Sequence, residues 1–183
     1  MRGELKRLQH ELGTTTVYVT HDQAGAMTLA HRVAVMREGR LQQFDMPLDI
    51  YHRPANRFVA EFVGSPGMNF IEGRLDEAAR TFVSEAFKLS ASQLKRVKGR
   101  GAVTLGIRPE HVHLAILEQD GSLPAKVHVT ELMGNETLVF LRFPDGAQLI
   151  ARAPASFRAE LESNIRVIFE AERVDFFDAE SGE

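Results

Sequence analysis

The sequence predicts an α/β segment followed by a small all-β barrel or sandwich, with the change near residue 64. Three observations carry that prediction. Apolar spacing in the first third alternates between helix and strand periods. The run Gly64-Ser65-Pro66-Gly67 then breaks any regular element. Beyond it, short β-branched and aromatic runs recur between turn signals, which is the texture of a small antiparallel domain.

Along the chain, Leu5, Leu8 and Leu12 fall on one helical stripe, and Gly13 supplies a stop. Thr14-Thr15-Thr16-Val17-Tyr18-Val19-Thr20 is rich in β-branched residues and reads as a strand of a parallel sheet, apolar on both faces. His21 sits at its carboxyl end. Asp22 is an N-cap residue for a helix from about Gln23 to His31. Val33-Ala34-Val35-Met36 reads as a second buried strand, and Glu38-Gly39 turns the chain into Leu41-Gln42-Gln43-Phe44. Pro47 opens a short helix that Pro54 ends, and Ala55 to Val63 forms one more, with Phe58, Val59 and Phe62 on one side.

In the second part, strands are expected around Phe70-Ile71, Thr81 to Val83, Ala102 to Ile107, Val112 to Leu114, Ala125 to Leu132, Thr137 to Phe143, Gln148 to Ala151 and Arg166 to Ala171. Asp120-Gly121, Gly134-Asn135 and Pro144-Asp145-Gly146 mark turns between them. Gln93 to Gly101 carries Lys95, Arg96, Lys98 and Arg100 and is expected to be a solvated loop. Asp175, Asp178 and Glu180 are expected to form a solvated acidic tail.

Composition narrows the function classes. With 44% hydrophobic residues the chain can bury a core, which excludes global disorder. The formal net charge of -3, the absence of Trp and the presence of only two tyrosines argue against a nucleic-acid interface. There is no cysteine, so disulfides and thiolate metal sites are excluded. The first residues lack the apolar run of a secretory signal, and no window approaches the roughly 20 apolar residues of a membrane span.

The segment Val19-Thr20-His21-Asp22-Gln23, with Ala26-Met27-Thr28-Leu29-Ala30 after it, closely resembles the switch-histidine region of the ABC ATPases that energise maltose-type and glycerol-3-phosphate-type importers. The resemblance continues through Gly39-Arg40, Pro47-Leu48, Ile50-Tyr51, Arg53-Pro54-Ala55, Arg57-Phe58-Val59-Ala60, Gly64-Ser65-Pro66 and Met68-Asn69-Phe70. Leu105-Gly106-Ile107-Arg108-Pro109-Glu110-His111 resembles the regulatory-domain motif of the same family, and Gly134-Asn135-Glu136 and the terminal Phe177 to Gly182 also fit. The resemblance implies that residues 1–64 are the end of a nucleotide-binding domain and that 65–183 are an OB-like regulatory domain of the TOBE type.

The resemblance further implies roles. His21 would contact the γ-phosphate of ATP, with Mg2+ present, in the intact protein. A histidine outside the carboxyl end of a strand suits this, because phosphoryl transfer depends on positioning and charge stabilisation. Read from spacing alone, His21 is an ordinary strand-end histidine. Gly106, Arg108, Pro109 and Glu110 would be regulatory-domain residues. Read from the residues themselves, Arg108-Pro109-Glu110 is expected to be structural rather than catalytic, with Pro109 restraining a turn and Arg108 and Glu110 each making ion pairs or hydrogen bonds across the barrel. Partners would be a second copy, giving a homodimer, and the permease subunits of an importer. Contact with the membrane would come only through the permease, at its cytoplasmic face. Ser65 to Phe70 looks most like the sugar and glycerol-phosphate group.

The sequence contains no G-x-x-x-x-G-K-[ST] run, no LSGGQ-like signature and no apolar strand ending in Asp-Glu upstream of His21. The expectation is a fragment of a longer ATPase, which alone neither binds ATP tightly nor hydrolyses it and carries no cofactor. Two departures from the family pattern stand out. Gly25 replaces a glutamate that would complete a capping box, and Gly within a helix costs about 0.5–1 kcal/mol, so a loosened first turn is expected. Phe44-Asp45 replaces a smaller, glycine-containing pair.

Alternative readings are a free-standing oxyanion-binding module of the molybdate type, which needs converging donors or cations, and a nucleic-acid-binding barrel. His111 and His113, two apart on an expected strand, would share a face as surface histidines. No third metal ligand is evident beside them.

Overall fold

The structure is a computed structural model that describes residues 2–76, 78–90 and 101–183. The expected basic loop lies, up to residue 100, outside the described residues. The chain divides into two compact units, Met1–Ser65 and Pro66–Glu183.

The first unit holds α1 (Arg2–Leu12), α2 (Gln23–Leu29), the strands β1 (Val33–Arg37) and β2 (Arg40–Asp45), α3 (Pro47–His52) and α4 (Arg57–Phe62). β1 and β2 form a two-stranded antiparallel hairpin. Its turn places Glu38 at φ 50° and Gly39 at φ 75°, the paired left-handed conformation of a tight hairpin turn. Val35, Ile50, Val59 and Val63 form a small buried cluster, flanked by Met27, Val33, Tyr51 and Phe58.

Two strand expectations need correction here. Thr14–Thr20 forms no strand, and Val17 and Val19 are 87% and 91% exposed. β-branched residues favour a pleated, half-buried surface, and among the described residues no neighbouring strand offers them one. Val33–Met36 is a strand, yet only Val35 in it is buried, because the hairpin is covered on one side alone.

Among the described residues, the second unit is built from antiparallel strands in two five-stranded sheets. One runs in the order β10-β9-β8-β11-β7 and the other β12-β6-β3-β4-β5. The ranges are β3 (Asn69–Asp76), β4 (Thr81–Val83), β5 (Lys88–Leu89), β6 (Gly101–Ile107), β7 (Val112–Ala115), β8 (Leu123–Leu132), β9 (Glu136–Arg142), β10 (Gln148–Pro154), β11 (Asn164–Phe169) and β12 (Asp175–Asp178). Alternation drives the packing. Ile71 and Leu75 of β3, and Ile165, Val167 and Phe169 of β11, turn into one core shared by both sheets. Phe87 links that core, its ring centroid 5.2 Å from Phe143, 5.6 Å from Phe169 and 6.2 Å from Phe82.

The acidic C-terminal stretch is not simply a solvated tail. Asp175–Asp178 pairs with β6, and Phe177 is buried. The apolar pair Phe176-Phe177 outweighs the flanking charges once β6 supplies a ladder. Asp178 then closes the chain end. Its carboxyl is held below the usual carboxylate range by the Ser181 backbone N–H, the Ser181 hydroxyl and the Glu180 N–H, all donating to it.

Candidate functional site

His21 lies between the unpaired Thr14–Thr20 segment and α2. It is exposed, and its ring makes no hydrogen bond or ion pair among the described residues. The residues after it are firmly fixed. The Asp22 backbone N–H donates to Thr20 Oγ1 at 2.9 Å, and Asp22 Oδ1 accepts from Gly25 N at 3.1 Å, capping α2. Gly25, the departure expected to loosen this turn, is buried beneath that cap. A Cβ there would sit 2.7 Å from Asp22 Oδ2, so its absence lets the carboxylate lie close over the helix.

Gln23 adds a second tie. Its amide nitrogen donates to the Phe62 carbonyl, and its amide oxygen accepts from the Gly64 N–H at 3.0 Å. The start of α2 is thereby joined to the end of α4, satisfying polar groups that a helix terminus leaves open. Gln23 belongs to the local motif, but its clamping of Phe62 and Gly64 requires a contact 41 residues along the chain.

The stretch Gly106–Glu110 is a corner between the two sheets. β6 ends at Ile107, a single turn of 3-10 helix covers Pro109–His111, and β7 begins in the other sheet. Gly106 is needed for close approach, since a Cβ there would meet Met68 Sδ at 2.5 Å and Phe177 Cε2 at 2.7 Å. Pro109 is buried, and its fixed φ suits the first position of the turn. Arg108 is only 3% exposed, and its carbonyl accepts from the His111 N–H at 2.9 Å.

His111 belongs to this turn and His113 to β7, so they do not share a strand face as expected. Both nonetheless reach Glu170. His111 Nδ1 lies 2.8 Å and His113 Nε2 3.9 Å from Glu170 Oε2. Among the described residues, no group of three or more His, Cys, Asp or Glu side chains is arranged to hold a metal ion.

Asn69, in the sequence merely one residue of a motif, couples the sheets. Its Nδ2 donates to the Ile150 carbonyl at 2.8 Å, and its Oδ1 accepts from the Ile150 N–H at 2.7 Å. A side chain of β3 thus completes the backbone pairing of β10.

The corner, the interlocked sheets and the strand order define a small OB-like β-domain, and comparison with known families agrees. Residues 64–112 match the MalK OB fold domain and residues 105–177 match the TOBE domain. Over all of its length the chain is 45% identical to the xylose/arabinose import ATP-binding protein XacK of Haloferax volcanii, covering 49% of that protein. It is 38% identical over 99% of its length to the oligosaccharides import ATP-binding protein MsmX of Bacillus subtilis, covering 52% of it. The osmoprotective compounds uptake ATP-binding protein GgtA of Synechocystis is 38% identical over 98% of the chain, with 51% of that protein covered. The chain is thus similar to import ATP-binding proteins of ABC transporters. It spans about half the length of the curated relatives it matches.

Proposed function

We propose that these 183 residues supply the switch-histidine segment and the regulatory β-domain of an ABC importer ATPase. The observation that carries this reading is the end-to-end similarity to import ATP-binding proteins, which extends over both units. In this reading His21 donates to the γ-phosphate of ATP, which binds with Mg2+. The Asp22 cap and the Gln23 clamp hold the helix after it, so that the imidazole is aimed from a fixed base. Its exposed ring, making no hydrogen bond among the described residues, fits that task.

The β-domain would serve homodimer contact and regulation, and the first unit would dock on permease subunits at the inner face of the membrane. No helix among the described residues is long and apolar enough to cross a bilayer, so the permease would provide the passage. The imported solute would be a sugar or sugar-phosphate-like compound; XacK and MsmX are named for import of xylose/arabinose and of oligosaccharides.

The sequence has no run that would cradle the phosphates. Calorimetric titration of the chain with Mg-ATP should therefore give no binding heat. Saturable micromolar binding would mean that another group holds the phosphates and would overturn the assignment of His21.

A further inference from the structure

Lys126 of β8 and Arg142 of β9 are register partners on adjacent antiparallel strands. Two cations directly opposite one another repel, and such a pair is unfavourable unless something answers it. Only Glu162 is placed to do so within the described residues. Its Oε1 accepts from Arg142 Nη2 at 2.5 Å, and its Oε2 lies 3.9 Å from Lys126 Nζ.

The backbone is specially shaped to bring this carboxylate in. Glu162 sits at φ 59°, a left-handed conformation that costs a non-glycine residue conformational energy. Its N–H donates to the Val127 carbonyl at 2.7 Å, and the Val127 N–H donates to the Ser163 carbonyl at 3.0 Å. β8 bulges at the next residue, where the register shifts between Val127 and Val129. Bulges re-aim side chains, and this one turns His128 toward the same carboxylate. His128 Nδ1 stands 3.7 Å from Glu162 Oε1, closed to solvent and without a hydrogen-bond partner.

Lys126, Arg142 and Glu162 line an open groove of about 360 Å³. Pro124, Phe143 and Pro144 give it an apolar wall, and Asn164 adds an amide. Two cationic side chains and an imidazole thus converge on one carboxylate. We propose that the groove binds a small organic anion. Its negative group is held between Lys126 and Arg142, and its carbon body lies against Pro124 and Pro144. The inference rests on the second unit alone and stands whatever His21 does.

An NMR titration of the full chain at constant ionic strength tests it, with inorganic phosphate in one arm and succinate in the other. The expected result is saturable movement of the Lys126, Arg142 and Glu162 amide signals in at least one arm, which then identifies the anionic group. The double change Lys126→Gln with Arg142→Gln should abolish saturation. Glu162→Gln should tighten binding by about threefold or more, because a like charge leaves the site. Linear drift in both arms would overturn the proposal, as would undiminished binding by the double variant. If the double variant loses its dispersed amide spectrum, Lys126→Gln alone, at an exposed side chain, must weaken binding.

Discussion

Replacing Asn69 with leucine should cost the β-domain about 2–4 kcal/mol, because the Ile150 N–H and C=O would both lose their partner in a largely buried place. Leucine preserves volume closely enough that the loss reports the two hydrogen bonds rather than a cavity. The probe must be chosen with care. Tyr18 and Tyr51 both lie in the first unit and the chain has no Trp, so tyrosine emission is blind to the β-domain. Amide hydrogen exchange of β3 and β10 gives the free energy directly. Protection unchanged from the parent chain would show that Asn69 does not couple the sheets.

Phe82→Ala should be more damaging still, at about 3–5 kcal/mol. Phe82 is fully buried, with ring centroids of Phe176 and Phe87 at 5.7 Å and 6.2 Å. It also occupies the room that Gly73 leaves open. A Cβ at Gly73 would meet Phe82 Cζ at 2.5 Å and the Val83 carbonyl oxygen at 2.6 Å. Because the second contact is to backbone, removing the ring does not make space for a side chain. Gly73→Ala should therefore destabilise in both the parent and the Phe82→Ala background, again read by exchange in β3 and β4. Rescue of Phe82→Ala by Gly73→Ala would contradict this packing.

The β-domain is largely legible in the sequence, because its strands alternate and turn residues separate them. Lys88–Leu89 is not, since two residues carry no period. Asp175–Asp178 does not read as a strand because its two charges offset its two aromatic residues until β6 is known to lie beside Phe177. Thr14–Thr20 goes the other way: its composition suits a strand, but a strand also needs a neighbour. Near the candidate site, His21 and its cap are visible in a local motif. The Gln23 clamp and the convergence of Lys126, Arg142 and Glu162 are not, because they depend on register and on contacts 20 or more residues apart.

The switch role proposed for His21 comes down to one measurement. A chimera joins this chain to the part of Haloferax XacK that it does not match, in place of the corresponding half of that protein. It should hydrolyse ATP, and His21→Ala within it should lower turnover by about 10²-fold or more, the scale of losing a charge-stabilising donor. Turnover unchanged by His21→Ala would contradict the switch role, even in a fully active chimera.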